Sequence, residues 1–318
     1  MTNTQVVDDL KEIRAWVAAD PEVEARVKAL EERNLWRTAL AVGAGYVGFA
    51  LSFYLIISVD TWWANLLAVI IIGNRLQSFE NLLHEAGHGN LANSRKLNDW
   101  IADYLLAIPI FKSFPLYRPM HLAHHNHLGD PEQDPDYIGP PKPGESSVSI
   151  FLKKFFSRIF IRHALIGEII RCSWLARLKI LVVFSAVGGL LWFLTDGRTV
   201  LEVAMWWWVA RLTVYHLLMV FQELSDHQGL DPGGIFSFSR NAPLGFMAHV
   251  FHPHNSGLHL LHHLRPKIPF FNLPKADRIF LELPRYEEAT RCKSYLFGLE
   301  SVVKSWQRND QNPGAGTV

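Results

Sequence analysis

Residues 39–58 read ALAVGAGYVGFALSFYLIIS, twenty positions without a charged side chain. A helix needs about 20 apolar residues to cross the hydrocarbon core of a bilayer. A second uncharged run of 16 residues extends from Ile180 to Thr195. Two further segments, starting at Trp62 and at Val203, are apolar with polar interruptions. We therefore predict an all-α integral membrane protein with four transmembrane helices. The predicted spans are residues 38–59, 62–83, 178–196 and 202–224.

The composition agrees with a membrane protein. Of 318 residues, 49% are hydrophobic and only 19% are charged, which is more apolar than most soluble enzymes need. The formal net charge of +1 gives no sign of nucleic-acid binding, and we expect no nucleic-acid partner. The first 30 residues are acidic and polar, so we expect no cleaved signal peptide.

Charge distribution predicts the topology. The segment between the second and third spans is rich in Lys and Arg, whereas the short connections near Asp60 and Asp196 carry only Arg198. By the positive-inside rule, both termini and the middle segment are cytoplasmic. Cys172 and Cys292 then lie on the reducing side, where disulfides are rare. We expect a multi-pass protein of a bacterial inner membrane rather than of the endoplasmic reticulum.

Three regions are predicted. Residues 1–37 form a cytoplasmic amphipathic arm, broken near Pro21, and residues 38–285 form the membrane domain with a cytoplasmic helical cap. Residues 286–318 form a cytoplasmic C-terminal segment whose tail, from Asn309, has no apolar pattern and is expected to be disordered.

Eight histidines fall in three short clusters. The clusters are His84-Glu-Ala-Gly-His88, His121-Leu-Ala-His124-His125 and His259-Leu-Leu-His262-His263. Residues three and four apart share a helix face, so each cluster directs its imidazoles to one side. Imidazole suits Fe, Zn, Cu and Ni, and eight convergent rings are enough for two ions. No predicted span separates the first two clusters and two separate the last two, so all three can meet on the cytoplasmic side.

This series resembles the histidine boxes of the membrane fatty acid desaturase and hydroxylase superfamily, over about residues 38–285. Asp134-Pro-Asp136 after the second cluster and Leu273-Pro274 after the third also resemble that family. The resemblance implies two iron ions, O2 as co-substrate, and a ninth ligand at the cytoplasmic end of the last span, matched by His227. The implied metal ligands are His84, His88, His121, His124, His125, His227, His259, His262 and His263.

Carboxylates commonly orient metal-binding histidines through hydrogen bonds. Four acidic residues lie close in sequence to the ligands, either in this role or as ordinary solvated acids: Glu85, Asp134, Asp136 and Asp226. Glu223 stands where some relatives have Asn, and it could bind iron, hold a water or only support His227. The other histidines are predicted to be packing residues: His127, His163, His216, His249, His252 and His254.

Two arginines, Arg75 and Arg211, lie within predicted spans. A charge there costs about 2.5–3.5 kcal/mol on insertion scales and marks a functional site by default. We expect one of them to face a substrate tunnel or to bind a polar head group. The alternative is pairing with Glu80 or with a polar group of another helix.

The expected reaction is O2-dependent oxidation of an unactivated C–H bond in a lipid, with desaturation of a fatty acyl chain as first choice. A hydroxylase or ketolase of a lipid, alkane or carotenoid would use the same site, and the sequence does not separate these outcomes. His84-Glu-Ala-Gly-His88 also matches the HExxH signature of zinc proteases, but such an enzyme would leave the other two clusters without a purpose. A zinc transporter is disfavoured because no central polar pathway is apparent. Electrons are expected from a separate ferredoxin, rubredoxin or cytochrome b5.

Overall fold

Helices are the regular secondary structure in the part of the chain that a computed structural model describes, residues 4–307, and turns and loops connect them. No β-strand forms among these residues. Their β-type pairing is limited to isolated bridges, such as the one between Asn241 and Arg291. The predicted all-α class is confirmed. The tail expected to be disordered, from Asn309, lies outside the described residues.

The helices have the following bounds. The first eight are α1 (Thr4–Ala19), α2 (Pro21–Leu30), α3 (Leu35–Tyr54), α4 (Trp62–Gly87), α5 (Arg95–Trp100), α6 (Phe114–His127), α7 (Ser147–Phe155) and α8 (Arg158–Ile166). The next eight are α9 (Trp174–Leu194), α10 (Gly197–Ala210), α11 (His216–His227), α12 (Ile235–Phe238), α13 (Phe246–Phe251), α14 (His259–Leu264), α15 (Leu273–Phe280) and α16 (Pro284–Glu287). Wider π-type turns follow α3, α5 and α10 at Leu55–Val59, Ile101–Leu106 and Arg211–Tyr215.

Four helical segments are long and apolar enough to cross a membrane, which confirms the predicted number of spans. They are Leu35–Val59, Trp62–Gly87, Trp174–Leu194 and Gly197–His227. Three of them begin earlier than predicted, because a polar residue before the apolar run caps the helix. The side chains of Asn34, Ser173 and Asp196 each accept a hydrogen bond from a backbone N–H three residues later, at 3.0, 3.3 and 2.8 Å.

The described chain divides into two compact units. We call residues 34–118 and 154–220 the membrane unit, and residues 4–33, 119–153 and 221–307 the histidine unit. The first histidine cluster belongs to the membrane unit, and the second and third clusters belong to the histidine unit. The three regions predicted from the sequence follow chain order and stay a prediction.

Helices of the membrane unit pack through glycines. A Cβ at Gly45 of α3 would collide with the ring of Phe79 on α4, and a Cβ at Gly73 would collide with Val214. Small residues let helix backbones approach closely within a membrane. Large apolar side chains such as Trp62 (79% exposed) and Phe193 (86% exposed) face outward, as expected of surfaces that contact lipid.

The N-terminal helices α1 and α2 are part of the core of the histidine unit. A break separates them at Asp20, which caps α2, as expected near Pro21. Their buried side chains, among them Ile13 and Val27, join one hydrophobic cluster with Leu260 and Leu264 of α14. The amphipathic pattern of this arm therefore reflects packing against the helix that carries the third histidine cluster.

The C-terminal segment also belongs to the histidine unit as far as it is described. Trp306 is buried (2% exposed), with its ring centroid 5.2 Å from that of Phe221. The buried guanidinium of Arg240 donates hydrogen bonds to Ser305 and to the carbonyl of Gln228, directly after the last span. These contacts hold the segment beside the end of that span.

Candidate metal centre

Four buried histidines of the histidine unit converge. One ring nitrogen from each of His124, His227, His259 and His263 lies within 4.8 Å of the others. The Nε2 atom of His259 lies 3.0 Å from Nε2 of His227 and 2.9 Å from Nε2 of His263. We call this group the four-histidine set. It unites α6, the end of the last span and α14.

Acceptors at Nδ1 fix the tautomers of two of these rings, His124 and His227. Nδ1 of His124 lies 2.8 Å from Oδ1 of Asp134, and Nδ1 of His227 lies 2.6 Å from the carbonyl oxygen of Phe238. A carbonyl and an ionised carboxylate can only accept, so the proton of each neutral ring is on Nδ1. The Nε2 lone pairs are then directed at one another. Such an arrangement of lone pairs is favourable only around a cation.

The carboxylate of Asp134 accepts several hydrogen bonds. Its carboxylate accepts hydrogen bonds from the backbone N–H groups of Gly129 and Asp136, both at 2.9 Å, besides that from His124. Burial would raise the pKa of Asp134, but the hydrogen bond and charge of His124, with the backbone donors, outweigh it and lower the pKa. Burial would likewise lower the pKa of His124, and the bond to Asp134 with nearby acidic charges raises it.

A second set of rings adjoins the first within the histidine unit. His121, His125 and His262 belong to a group that could hold a metal ion, and Nε2 of His262 lies 3.2 Å from Nε2 of His125. The ring centroid of His125 is 4.2 Å from that of His263 in the four-histidine set. Two ions held by these sets would be neighbours.

The first cluster lies at the C-terminal end of α4 in the membrane unit. The ring centroids of His84 and His88 are 5.7 Å apart, as expected of residues one turn apart. The buried carboxylate of Glu85 accepts a hydrogen bond from the Asn90 amide at 3.1 Å and lies 4.0 Å from Nδ1 of His84. Glu85 is thus placed beside a predicted ligand.

The other predicted acidic residues are placed differently. Oδ2 of Asp226 lies 3.8 Å from Nδ1 of His259, which is an ionic contact but too long for a hydrogen bond. The side chain of Asp136 is exposed, and only its backbone N–H contacts Asp134. Glu223 is half-buried one turn before His227, and its charge contributes to the raised pKa of His124. Its role at the iron or as support for His227 stays a prediction.

The two intramembrane arginines have different surroundings. Arg211 is fully buried, and its guanidinium donates to the carbonyls of Ala164 and Pro109 at 3.0 and 3.1 Å. Arg75 is partly exposed and donates to Asn74. Glu80, the expected partner, instead pairs with Lys112 and accepts a hydrogen bond from Tyr215 at 3.0 Å. Substrate binding by either arginine stays a prediction.

Two contacts around this site could not be predicted from residue spacing. The Phe238 carbonyl that bonds His227 lies 11 residues further along the chain, and any residue type could supply it. His252, predicted to be a packing residue, is buried with its Nε2 atom 3.9 Å from Oδ1 of Asp226. Only tertiary structure brings these groups to the ligands.

Comparison with known proteins identifies the family. The model of the fatty acid desaturase family matches residues 60–294, which is more than half of the chain. The chain belongs to the fatty acid desaturase family. The resemblance inferred from the histidine clusters is confirmed, and the family supports an oxidoreductase.

Relatives of this desaturase-family protein catalyse different reactions. It is 27% identical to dihydrorhizobitoxine desaturase of Bradyrhizobium elkanii, over 74% of this chain and 73% of the relative. It is 23% identical to zeaxanthin 4-ketolase of Chlamydomonas reinhardtii, over 77% of this chain and 51% of the relative. Over 32% of the chain and 27% of the relative, it is 33% identical to the sn-1 acyl-lipid omega-3 desaturase (ferredoxin) of Synechocystis. The chain thus spans about half the length of the ketolase.

Proposed function

We propose that this protein is a membrane di-iron oxidoreductase that uses O2 to desaturate a fatty acyl chain. The observation that carries the proposal is the four-histidine set, in which buried Nε2 atoms meet while acceptors occupy the Nδ1 side of His124 and His227. Membership of the desaturase family supports the reaction class.

The donor set fits iron. Imidazole nitrogen is a good ligand for iron. The Nε2 atoms of His227 and His263 lie 3.0 and 2.9 Å from Nε2 of His259, so these three rings would hold one bound ion together. Burial and the charges of nearby histidines lower the pKa of His263, so this ring is neutral and able to bind a metal.

The side chains of this protein have defined tasks in the reaction. A bound iron pair with O2 supplies an oxidant strong enough to break an unactivated C–H bond, which no amino-acid side chain can do. Asp134 holds the proton on Nδ1 of His124, and the Phe238 carbonyl does the same for His227. Burial of the four rings excludes water from the site, which protects it from side reactions.

We further propose that His84 and His88 also bind iron, as the histidine boxes of the family imply. All nine ligands are then imidazoles. Under this proposal the metal site and both termini face the cytoplasm, and the protein resides in a bacterial inner membrane.

The electron donor is proposed to be a separate small carrier, either a ferredoxin, a rubredoxin or cytochrome b5. The name of the Synechocystis relative specifies ferredoxin and favours that carrier. The Lys- and Arg-rich segment between the second and third spans suits docking of an acidic carrier.

A second candidate function is hydroxylation or ketolation of a lipid, alkane or carotenoid. The similarity to zeaxanthin 4-ketolase favours this alternative. Both reactions begin with removal of hydrogen from a C–H bond and differ in whether a second hydrogen leaves or oxygen is added. A zinc protease has no comparable support, because family and histidine content both point to an oxidoreductase.

The test combines metal content with product analysis. Purified protein is expected to carry about two irons per chain, and His124→Ala should lose iron, whereas His127→Ala on the same helix should retain it. In a lipid-producing host with a reductant system, mass spectrometry should show lipids lacking two hydrogens. A gain of one oxygen would favour the second candidate. One zinc per chain, or the same products with His124→Ala, would contradict the proposal.

A further inference from the structure

Helix α8 of the membrane unit exposes basic and apolar side chains together. Its two arginines, Arg158 and Arg162, are both exposed. Ile159 is 68% exposed, and Ile161 and Leu165 are also exposed. By helical geometry Ile159 lies on one side of the two arginines and the other two apolar residues lie on the opposite side. Contiguous apolar side chains on a surface mark a contact with a protein or a membrane.

Contacts at the C-terminal end of α8 keep this side of the helix outward. Ala164, on the other side, is buried, and its carbonyl accepts a hydrogen bond from the Arg211 guanidinium at 3.0 Å. Gly167 follows the helix with a φ of 53°, and a Cβ there would lie 2.5 Å from the carbonyl oxygen of Phe111. Rotation of α8 to bury its outward side would break these contacts.

The position of α8 in the chain places it next to a span. Only residues 167–173 separate it from α9, whose first residue, Trp174, is 74% exposed. Exposed tryptophans at the ends of spans are typical of the membrane–water interface. A helix that carries arginines and large apolar side chains at such a place is typical of helices that lie along the interface. The outward side of α8 therefore faces lipid head groups.

The two arginines of α8 lack the protein partners that other basic side chains of this unit have. Among residues 4–307, neither Arg158 nor Arg162 forms an ion pair or a side-chain hydrogen bond. Other basic residues of the membrane unit form ion pairs within it, among them Lys112 with Glu80, Lys179 with Asp103 and Arg118 with Asp99. The two guanidinium groups of α8 are thus available to an anion from outside the protein.

The spacing of these arginines suits a phosphate group. Residues four apart share a helix face with Cβ atoms about 5–6 Å apart, so Arg158 and Arg162 can contact the same anion. A guanidinium binds phosphate oxygens through two parallel N–H groups. In a phospholipid the acyl chains adjoin the phosphate, where they would contact Ile159, Ile161 and Leu165. A soluble acidic protein would match the two charges, but the apolar side chains beside them favour a lipid.

We propose that the outward side of α8 binds an anionic phospholipid, with Arg158 and Arg162 on its phosphate and the apolar side chains on its acyl chains. A zwitterionic lipid also carries a phosphate, but its ammonium group offsets the charge, so α8 should prefer the anionic lipid. The bound lipid would fasten the segment between the second and third spans to the membrane surface. This binding does not depend on the proposed iron site.

Lipid titration of the purified full-length protein tests the proposal. The protein in detergent is titrated with phosphatidylglycerol or with phosphatidylcholine of the same acyl chains, and native mass spectrometry gives the affinity for the first bound lipid. The wild type should prefer phosphatidylglycerol. Arg158→Gln together with Arg162→Gln should weaken its binding by roughly 25-fold, because each basic side chain near an anionic lipid surface contributes about 5-fold. Binding of phosphatidylcholine should be unchanged.

Further variants separate a lipid site on α8 from a general effect of charge. Lys11→Gln together with Arg14→Gln is the matched control, because it removes the same charge from exposed positions of α1 in the histidine unit and should keep the lipid preference. Arg158→Lys together with Arg162→Lys retains both charges without the planar guanidinium, so its affinity should lie between those of the wild type and the glutamine variant. Ile159→Gln should weaken the binding of both lipids, since it removes an apolar contact.

Several results would overturn the inference. One is phosphatidylglycerol binding by the double glutamine variant of α8 that is as tight as in the wild type, and another is an equal loss in the α1 control. Displacement of phosphatidylglycerol by an equal concentration of inorganic phosphate would indicate a site for free anions instead. A glutamine variant that keeps its lipid preference but binds a ferredoxin more weakly would assign this surface to carrier docking. Iron content is measured separately, so the proposed function stands or falls independently of these results.

Discussion

Oδ1 of Asp134 lies 2.8 Å from Nδ1 of His124, and the carboxylate that contains it is completely buried. The same carboxylate accepts two backbone hydrogen bonds, so three donors share its two oxygens. These three hydrogen bonds to the Asp134 carboxylate link the loop after α6 to the orientation of the His124 ring in the four-histidine set.

Asp134→Asn should therefore weaken both the fold and the metal site. An amide has one acceptor oxygen, so a buried N–H group would face an NH2 group and lose its partner. We expect a loss of about 1–3 kcal/mol in the free energy of unfolding and about 10–100-fold weaker iron binding. Thermal unfolding and iron titration measure the two effects.

Asp136→Asn is the matched control for that substitution. The Asp136 side chain is exposed and contributes only its backbone N–H to Asp134. A surface change of this kind is expected to stay within about 0.5 kcal/mol. If both variants lost the same amount of stability and iron, the carboxylate of Asp134 would not hold His124 as we propose.

Arg118→Lys should loosen the end of α4, which carries the first histidine cluster. The Arg118 guanidinium donates to both oxygens of Asp99, at 2.9 and 2.5 Å, and to the carbonyl of Ala86 at 3.1 Å. A lysine ammonium cannot reproduce this fork. We expect a loss of about 1.5–3 kcal/mol, typical of hydrogen bonds to charged groups, measured by thermal unfolding in detergent.

Arg95→Lys provides the comparison because Arg95 contacts the same carboxylate. It lies 3.9 Å from Asp99 with a side chain that is 82% exposed. Its replacement should change the unfolding temperature little. If Arg118→Lys and Arg95→Lys lowered the unfolding temperature equally, the hydrogen bond to the Ala86 carbonyl and the two hydrogen bonds to Asp99 would contribute nothing to stability.

Much of the candidate site was predictable, because the histidines of each cluster are close together in the sequence. The spacing in His121-Leu-Ala-His124-His125 places its rings along one face of α6, and uncharged runs such as 39–58 predict spans by length alone. Three of the helices that contain these spans begin before the predicted starts, because capping by Asn34, Ser173 and Asp196 extends each helix into polar sequence.

The remainder depends on tertiary contacts that no spacing reveals. Two of the carbonyls that accept from the Arg211 guanidinium, those of Pro109 and Ile110, directly precede Phe111, whose left-handed conformation (φ 61°) is rare for such a residue. His252 is a lone histidine in the sequence, and only the fold places it between Tyr295 and Asp226. The sequence likewise does not reveal that the N-terminal helices α1 and α2 pack against α14.

Arg211→Leu should destabilise the membrane unit rather than alter substrate affinity. The guanidinium donates to three carbonyls, those of Pro109, Ile110 and Ala164, and lies over the ring of Phe111 at 4.2 Å. Leucine would leave these buried acceptors without donors, at about 1–3 kcal/mol for each group that stays unsatisfied. Thermal unfolding should report the loss, while KM of the remaining folded enzyme stays at the wild-type value.

Arg75→Leu distinguishes the role of Arg75 from that of Arg211. Arg75 is partly exposed and has Asn74 as its polar contact, so its replacement should have a smaller effect on stability. If KM for the acyl substrate rises in Arg75→Leu, the predicted role in substrate binding applies to that residue. A raised KM with normal stability in Arg211→Leu would instead assign it to Arg211.

Ile13→Ala should show that the N-terminal helices stabilise the histidine unit. Ile13 is fully buried in the hydrophobic cluster that contains Leu260, Leu261 and Leu264 of α14. Removing its side chain leaves a cavity and is expected to cost about 2–5 kcal/mol. Because α14 carries three proposed ligands, iron per chain should fall together with the unfolding temperature. Leu299→Ala, at a position that is 87% exposed, is the control and should change neither quantity. A normal iron content in an Ile13→Ala protein with lowered stability would show that α14 keeps its place without the N-terminal helices.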